Sequence, residues 1–227
     1  MVIYLTKVYM VRHCEALGNV MRIFQGITDL DITEIGEKQL KCLEKRFENI
    51  ELDKIYSSPL IRAYKTALAI KGNRSLEVEV LDGLTELNGG FVEGKPFLET
   101  FNAHPEMKDA WFNHPEDFAP EGGEAMRDAY IRSENAFWEI VKNNKGKTVA
   151  FATHGGVLRC ILCRFMFNDI TRLKDAPLLD NTAVCYLEVD DDFNVDLKYY
   201  NDSTHLPQDL IPQRSRLTAF MGNEVQK

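Results

Sequence analysis

The 227-residue sequence lacks the features that mark membrane, repeat and disordered proteins. No apolar run approaches the roughly 20 residues that a membrane-spanning helix needs. There are no internal repeats and no low-complexity tracts. Apolar residues make up 44% of the chain and charged residues 27%, which lets a chain of this length bury a core. We therefore expect one globular domain over residues 1–227, with no membrane partner.

An excess of basic charge is also missing. Lysine and arginine number 27 against 35 aspartates and glutamates, so the net charge is −8. An acidic body repels nucleic-acid backbones and anionic lipid headgroups, which argues against either as the main partner. The balance still permits a small basic pocket. It does not decide whether the chain forms a homo-oligomer.

Cysteines are few and odd in number: 14, 42, 160, 163 and 185. The N-terminal stretch MVIYLTKVYMVRHC has no basic leader and no small-residue cleavage site, so a reduced, cytoplasmic protein is expected. Cys160 and Cys163 have C-x-x-C spacing within the apolar segment GGVLRCILCRFMF. No second such pair occurs in the sequence. Core packing is therefore favoured, with a redox or zinc role as the open alternative.

Hydrophobic periodicity alternates between short apolar runs and longer amphipathic segments. It predicts strands at 7–12, 54–57, 77–81, 148–153, 183–189 and 195–199, and helices at 33–50, 59–70, 124–143 and from 155 onward. This order is typical of a three-layer α/β/α sandwich around a mainly parallel sheet. Segment 95–123 is predicted to be a small cap or lid, and 202–227 a C-terminal tail. Asp31 with Glu34, and Ser58, are expected to cap the first two helices.

Chemistry-bearing side chains follow three of the predicted strands. Arg12 and His13 end the first strand, and His154 follows the central one. Arg62 lies one turn into the helix that follows the second strand. Ligands of open α/β sheets bind beyond the carboxyl ends of the strands. The sequence therefore predicts an anion site with two arginines and two titratable imidazoles.

Four sequence blocks resemble the histidine phosphatase superfamily, in its phosphoglycerate-mutase-like branch. The first, RHCEALGN at 12–19, is similar to the family signature R-H-G-E-T-x-x-N. The others are SSPLIRA at 57–63, LTE at 84–86 and HGGVLR at 154–159. Further matching positions are Arg22, Gln25, Gly26, Asp29, Glu93, Gly94 and Asn181. The resemblance covers about residues 7–190 and implies a phosphoglycerate-mutase-like sandwich with the insert over the active site.

The resemblance also implies a role for each main residue. His13 would attack the phosphoryl group and become a phosphohistidine, since a neutral imidazole is a competent nucleophile. Arg12 and Arg62 would clamp the phosphoryl oxygens, and His154 would be a third donor. Glu86 would be the general acid that protonates the leaving group, and then the base that activates water. Glu93 lies in the same loop and is the alternative candidate.

The lesser site residues are Asn19, Gln25 and Gly26, which are expected to contact phosphate or shape the pocket. Gly155 begins a helix whose N–H groups would face the anion. The carboxylates near the motifs have no recognisable metal-ligand spacing, so neither a metal nor another cofactor is expected. The expected partner is a small phosphorylated metabolite.

The sequence departs from the family pattern at three positions. Cys14 stands where glycine is usual, which raises the question of oxidation or a narrowed pocket beside the nucleophile. Ala16 replaces a usual threonine, and Val92 a frequent tryptophan. The long insert and paired arginines that mark cofactor-dependent mutases are missing, which favours a metal-independent phosphomonoester hydrolase. The alternatives are a phosphoglycerate mutase and a weakly active phosphoester-binding protein.

Overall fold

The computed structural model describes residues 5–211. It contains strands β1 (Thr6–Arg12), β2 (Lys54–Ser57), β3 (Val78–Val80), β4 (Thr148–Thr153), β5 (Val184–Val189) and β6 (Val195–Asp202). Its helices are α1 (Leu17–Met21), α2 (Glu34–Phe47), α3 (Ile61–Lys71), α4 (Phe97–Ala103), α5 (Pro105–Asn113), α6 (Met126–Asn143) and α7 (Gly155–Phe167). None of the helices in this part of the chain is long and apolar enough to cross a bilayer.

The six strands form one mixed sheet in the order β3-β2-β4-β1-β5-β6. The first four strands in that order are parallel, whereas β5 runs antiparallel to both β1 and β6. Register aligns the carboxyl ends of the central strands, with Arg12 opposite Thr153 and Ser57 opposite Ala152. The predicted mainly parallel sandwich is confirmed.

Alternating side chains of the central strands fill two cores, one on each face of the sheet. Val8 and Met10 of β1 pack on one face with residues of α6 and α7. Val11 lies on the other face with residues of α2 and α3. In β4 the same alternation places Val149 and Phe151 on the first face and alanines on the second. Helices thus cover both faces, which is why β4 is apolar throughout.

The insert at 95–123 is short-helical and contains α4, α5 and a 3₁₀ turn at Pro115–Asp117. Its aromatic rings gather around Phe24, which contacts Phe97, Phe101, Trp111 and Phe118. Two backbone hydrogen bonds, from Phe24 N to Lys95 O and from Phe97 N to Arg22 O, tie the insert to residues 22–24. The insert is therefore packed against the segment that leads directly into Gln25.

Two helix caps differ from the sequence prediction. The α2 cap is Thr33, whose hydroxyl accepts from Gly36 N at 3.0 Å, and not Asp31. Helix α3 begins at Ile61 after Leu60, two residues later than predicted. The Ser58 hydroxyl contacts His154 Nε2 and also accepts from Leu60 N at 3.3 Å, so it bonds the residue before α3 and not the first turn of the helix.

Cys160 and Cys163 pack in the apolar cluster beneath the insert, which confirms the core interpretation. Burial raises the pKa of both thiols, that of Cys163 to about 11. Beyond β6, Leu206 is buried, and the carbonyl of Leu210 accepts from Gln39 Nε2 at 3.0 Å. Residues 212–227 of the predicted tail lie outside the described residues.

Candidate active site

The carboxyl ends of β1, β2 and β4 bring the predicted site residues together. His13 N donates to Thr153 O at 2.8 Å, and Ser58 N donates to Ala152 O at 3.0 Å. The rings of His13 and His154 consequently lie 5.2 Å apart, centroid to centroid. The two histidines predicted from separate blocks therefore face one site.

A hydrogen bond fixes the tautomer of His13. Its Nδ1 lies 2.7 Å from the backbone carbonyl of Cys14. A carbonyl oxygen only accepts, so Nδ1 carries the proton and Nε2 keeps its lone pair. The backbone of His13 is held in turn by Asn181, whose Nδ2 donates to His13 O at 3.0 Å. The imidazole is thus oriented with Nε2 as the ring nitrogen that keeps a free lone pair.

His154 is held by Ser58, with 2.7 Å between His154 Nε2 and Ser58 Oγ. Its Nδ1 is buried and has no partner within residues 5–211. Nδ1 is therefore the ring atom left to meet a ligand. Sequence reasoning placed Ser58 at a helix start and did not anticipate this contact, although its position after β2 was a signal.

Both imidazoles are neutral near pH 7. Burial, followed by the positive charges of Arg62 and Arg12, holds the pKa of His13 well below its ordinary value. Burial lowers the pKa of His154 in the same way, with Arg62 as the next cause. A phosphate dianion between the rings would oppose these shifts, because a nearby negative charge favours the imidazolium.

The lowered pKa of His13 predicts its protonation state in mildly acidic solution. A lowered pKa keeps His13 unprotonated, and hence nucleophilic, at pH values below its ordinary pKa of about 6.5. We expect the His13 ring to remain the neutral Nδ1–H tautomer at pH 6, as measured by ¹⁵N NMR of the imidazoles. Spectra of His13→Ala assign the signal. A His13 that is half protonated at or above pH 6.5 would contradict this prediction.

Two guanidinium groups are buried at the site. Arg62 is fully buried, and its described ion pair is a 4.0 Å contact with Asp29. Arg12 donates from NH1 to the carbonyl of Leu179. Burial lowers the pKa of both arginines, and the Glu86 carboxylate offsets part of this shift. Buried cations with so little carboxylate contact favour an anionic ligand.

Arg62 also organises the loop at residues 25–29, which we call the clamp loop. Its NH1 donates to Thr28 O at 3.0 Å, and its NH2 donates to Gly26 O at 2.7 Å. Its Nε has no partner within the described chain, and neither does Arg12 Nε. These two N–H groups are thus available to a ligand, while the rest of Arg62 holds the loop.

The structure places the lesser predicted residues in different ways. Both polar atoms of the Gln25 amide are buried without a described partner, beside Gly18. Asn19 Oδ1 accepts from Ala16 N at 2.9 Å and so shapes the turn into α1. Gly155 lies close to Arg12, since a Cβ there would be 3.4 Å from Arg12 Nε. Gly26 allows a close approach to Leu87, whose carbonyl would be 2.0 Å from an added Cβ.

The carboxylate of Glu86 lies against the start of α7. Its Oε2 accepts from Gly156 N at 3.0 Å, and its Oε1 accepts from Leu87 N at 2.9 Å. Gly156 is needed here, because an added Cβ would lie 2.5 Å from Glu86 Oε1. The sequence assigned the N–H groups of this helix start to the anion. In the structure, the Gly156 N–H donates to the Glu86 carboxylate.

The segment at residues 83–89, which we call the acid loop, is braced from α6. Arg132 donates from NH1 to Gly83 O at 2.9 Å and to Thr85 O at 2.7 Å. Glu124 accepts from Arg132 through both carboxylate oxygens, each at 2.7 Å. Sequence reasoning missed this brace, because neither residue belongs to a motif.

Cys14 does not open into the site. It is fully buried, and its backbone N–H donates to Thr66 Oγ1 at 3.1 Å. It is not among the residues with positive φ, so a side chain fits where glycine is usual. Burial raises the pKa of its thiol to about 12, which keeps it protonated and unreactive at neutral pH.

The fold and this site together define an α/β phosphatase. A model of the histidine phosphatase superfamily (branch 1) matches residues 8–203, so the chain belongs to this superfamily. It is 32% identical to phosphoserine phosphatase 1 of Hydrogenobacter thermophilus, over 89% of this chain and 95% of the relative. It is 34% identical to a metal-independent phosphoserine phosphatase of Arabidopsis thaliana, over 88% and 83%. The solved structure of Bacillus stearothermophilus YhfR covers 88% of this chain and 98% of its own, with 33% identity and a TM-score of 0.83.

Proposed function

We propose that this chain hydrolyses small phosphomonoesters without a metal, through a phosphohistidine on His13. One observation carries the proposal. Five buried polar atoms, four of which can donate, have no partner within residues 5–211, namely Arg12 Nε, Arg62 Nε, His154 Nδ1 and both polar atoms of the Gln25 amide. An unpaired buried polar group costs roughly 1–3 kcal/mol, so the site favours a ligand rich in acceptor oxygens. A phosphoryl group bound here would supply them.

In the first step, the lone pair of His13 Nε2 forms a bond to phosphorus, and the ester P–O bond breaks. Glu86 gives its proton to the departing alkoxide, which leaves as the alcohol. Arg12, Arg62 and His154 stabilise the charge on the equatorial oxygens. The Nδ1–H bond to Cys14 O stabilises the positive charge that develops on the ring.

In the second step, Glu86 takes a proton from water, and the hydroxide forms a bond to phosphorus. The P–N bond breaks, its electron pair returns to His13 Nε2, and inorganic phosphate leaves. Protonated Glu86 is thereby restored for the next cycle. Every proton in this cycle moves between substrate, water and one carboxylate, so no metal-bound hydroxide is required.

Among small phosphomonoesters, we propose phosphoserine as the first substrate to test. Two relatives more than 30% identical to this chain are phosphoserine phosphatases, which also favours hydrolysis over the mutase alternative. The insert at 95–123 packs on the residues before Gln25, so we propose that it borders the pocket and sets substrate choice.

We also propose a cytoplasmic location. The five cysteines, which all lie among the described residues, are free thiols, as is usual for proteins of a reducing compartment.

The test is phosphate release from a panel of phosphomonoesters in excess EDTA. 3-Phosphoglycerate conversion is followed in parallel, with and without the bisphosphate primer. We expect release from phosphoserine that EDTA does not diminish. Primer-dependent isomerisation without release would overturn the proposal in favour of a mutase. Inactivity in both assays would favour a phosphoester-binding protein.

A further inference from the structure

Glu93 follows the acid loop, directly after a 3₁₀ turn at Gly90–Val92, and its carboxylate accepts hydrogen bonds from two loops. Its Oε1 accepts from Ile27 N at 2.9 Å and from Gly89 N at 2.7 Å. Its Oε2 accepts from Thr28 N at 3.0 Å and also from the Thr28 hydroxyl. One carboxylate therefore bonds the clamp loop and the end of the acid loop at once.

Two further contacts show that this junction is close-packed. A Cβ on Gly26 would lie 2.2 Å from Glu93 Oε1 and 2.0 Å from Leu87 O, so only glycine allows the two loops to approach so closely. On its other side, the clamp loop offers the carbonyls of Gly26 and Thr28 to Arg62. The clamp loop thus accepts from a buried arginine through its carbonyls and donates to Glu93 through its N–H groups.

We propose that Glu93 is a positioning residue that couples the phosphate clamp to the general acid. It sets where Arg62 and Gln25 meet the phosphoryl group and, through Gly89, where the acid loop holds Glu86. Both distances must be correct in one transition state, because the clamp stabilises the equatorial oxygens while the acid protonates the leaving oxygen. This inference rests on the proposed function and adds a residue whose effect is exerted through others.

Glu93→Gln tests the proposal, because an amide places N–H donors where the backbone N–H donors already point. Binding of inorganic phosphate by calorimetry reports the clamp and needs no turnover. The ratio of kcat for phosphoserine to kcat for p-nitrophenyl phosphate reports the acid, because the aryl leaving group needs little protonation. We expect phosphate affinity and this ratio each to fall roughly 10- to 100-fold. Glu77→Gln removes the same charge from an exposed position before β3 and should change neither.

Two variants that each loosen one end keep the test decisive if Glu93→Gln folds poorly. Thr28→Val removes a hydroxyl donor to Glu93 on the clamp side, so the coupling predicts that phosphate affinity and the kcat ratio fall together. Glu124→Gln loosens the Arg132 brace on the acid side only, and should lower the ratio while sparing phosphate binding. Unchanged phosphate affinity and ratio in Glu93→Gln, or a Thr28→Val protein in which phosphate affinity falls and the kcat ratio does not, would overturn the coupling. A wild-type protein that binds phosphate but hydrolyses no ester would instead overturn the proposed function.

Discussion

His13→Ala is expected to abolish turnover and the acid-labile phosphate label on the protein. The substitution removes the atom that forms the P–N bond. The other imidazole of the site, that of His154, is oriented differently, since its Nε2 contacts Ser58. Loss of a catalytic nucleophile typically costs about 10⁴- to 10⁶-fold in kcat, measured here as phosphate release from phosphoserine. Phosphoenzyme is measured by acid quench with ³²P-labelled substrate.

The matched control is His104→Ala, because His104 is an exposed histidine of the insert and packs edge-on against Phe91. It should retain the acid-labile label at the wild-type level. Calorimetry with inorganic phosphate separates chemistry from folding, since His13→Ala keeps both arginines and should still bind the anion. Near-full activity in His13→Ala would contradict the nucleophile assignment.

Glu86→Gln is expected to slow phosphoserine hydrolysis roughly 10²- to 10⁴-fold, the usual range for a general acid. The amide keeps the shape of the side chain and one acceptor for Gly156 N, but it cannot give a proton to the leaving alkoxide. With p-nitrophenyl phosphate the leaving group needs little protonation, so formation of phosphohistidine should be much less affected. Burst kinetics then separate the first step from the slower hydrolysis of the intermediate.

Glu93 is the informative comparison for Glu86. If Glu86→Gln slowed both substrates equally in the first step, Glu86 would not be the acid. A larger selective loss in Glu93→Gln than in Glu86→Gln would reassign the acid to Glu93, the alternative left open by the sequence. The structure favours Glu86, because all four described hydrogen bonds of Glu93 come from loop residues.

Local sequence patterns were sufficient to predict elements whose structure follows from their own hydrophobic periodicity. The strand at Thr148–Thr153 is apolar throughout and the helix at Glu34–Phe47 is amphipathic, so both follow from periodicity. The predicted caps were wrong, because several neighbouring side chains can accept from a helix start. At α2 it is Thr33 that accepts. Ser58 is not the cap of α3, which begins at Ile61 after Leu60, and its hydroxyl also contacts His154, 96 residues away in sequence.

By itself, the sequence determined the class of fold and which residue types gather at one sheet edge. Strand order and the rule that ligands bind at carboxyl ends are enough to bring Arg12, His13, Arg62 and His154 together. Only the tertiary structure decided how each group is held there, because that depends on hydrogen bonds and burial between distant segments. It set the tautomer of His13, gave Glu86 and Glu93 different hydrogen-bond partners, and buried Cys14 where its thiol stays protonated.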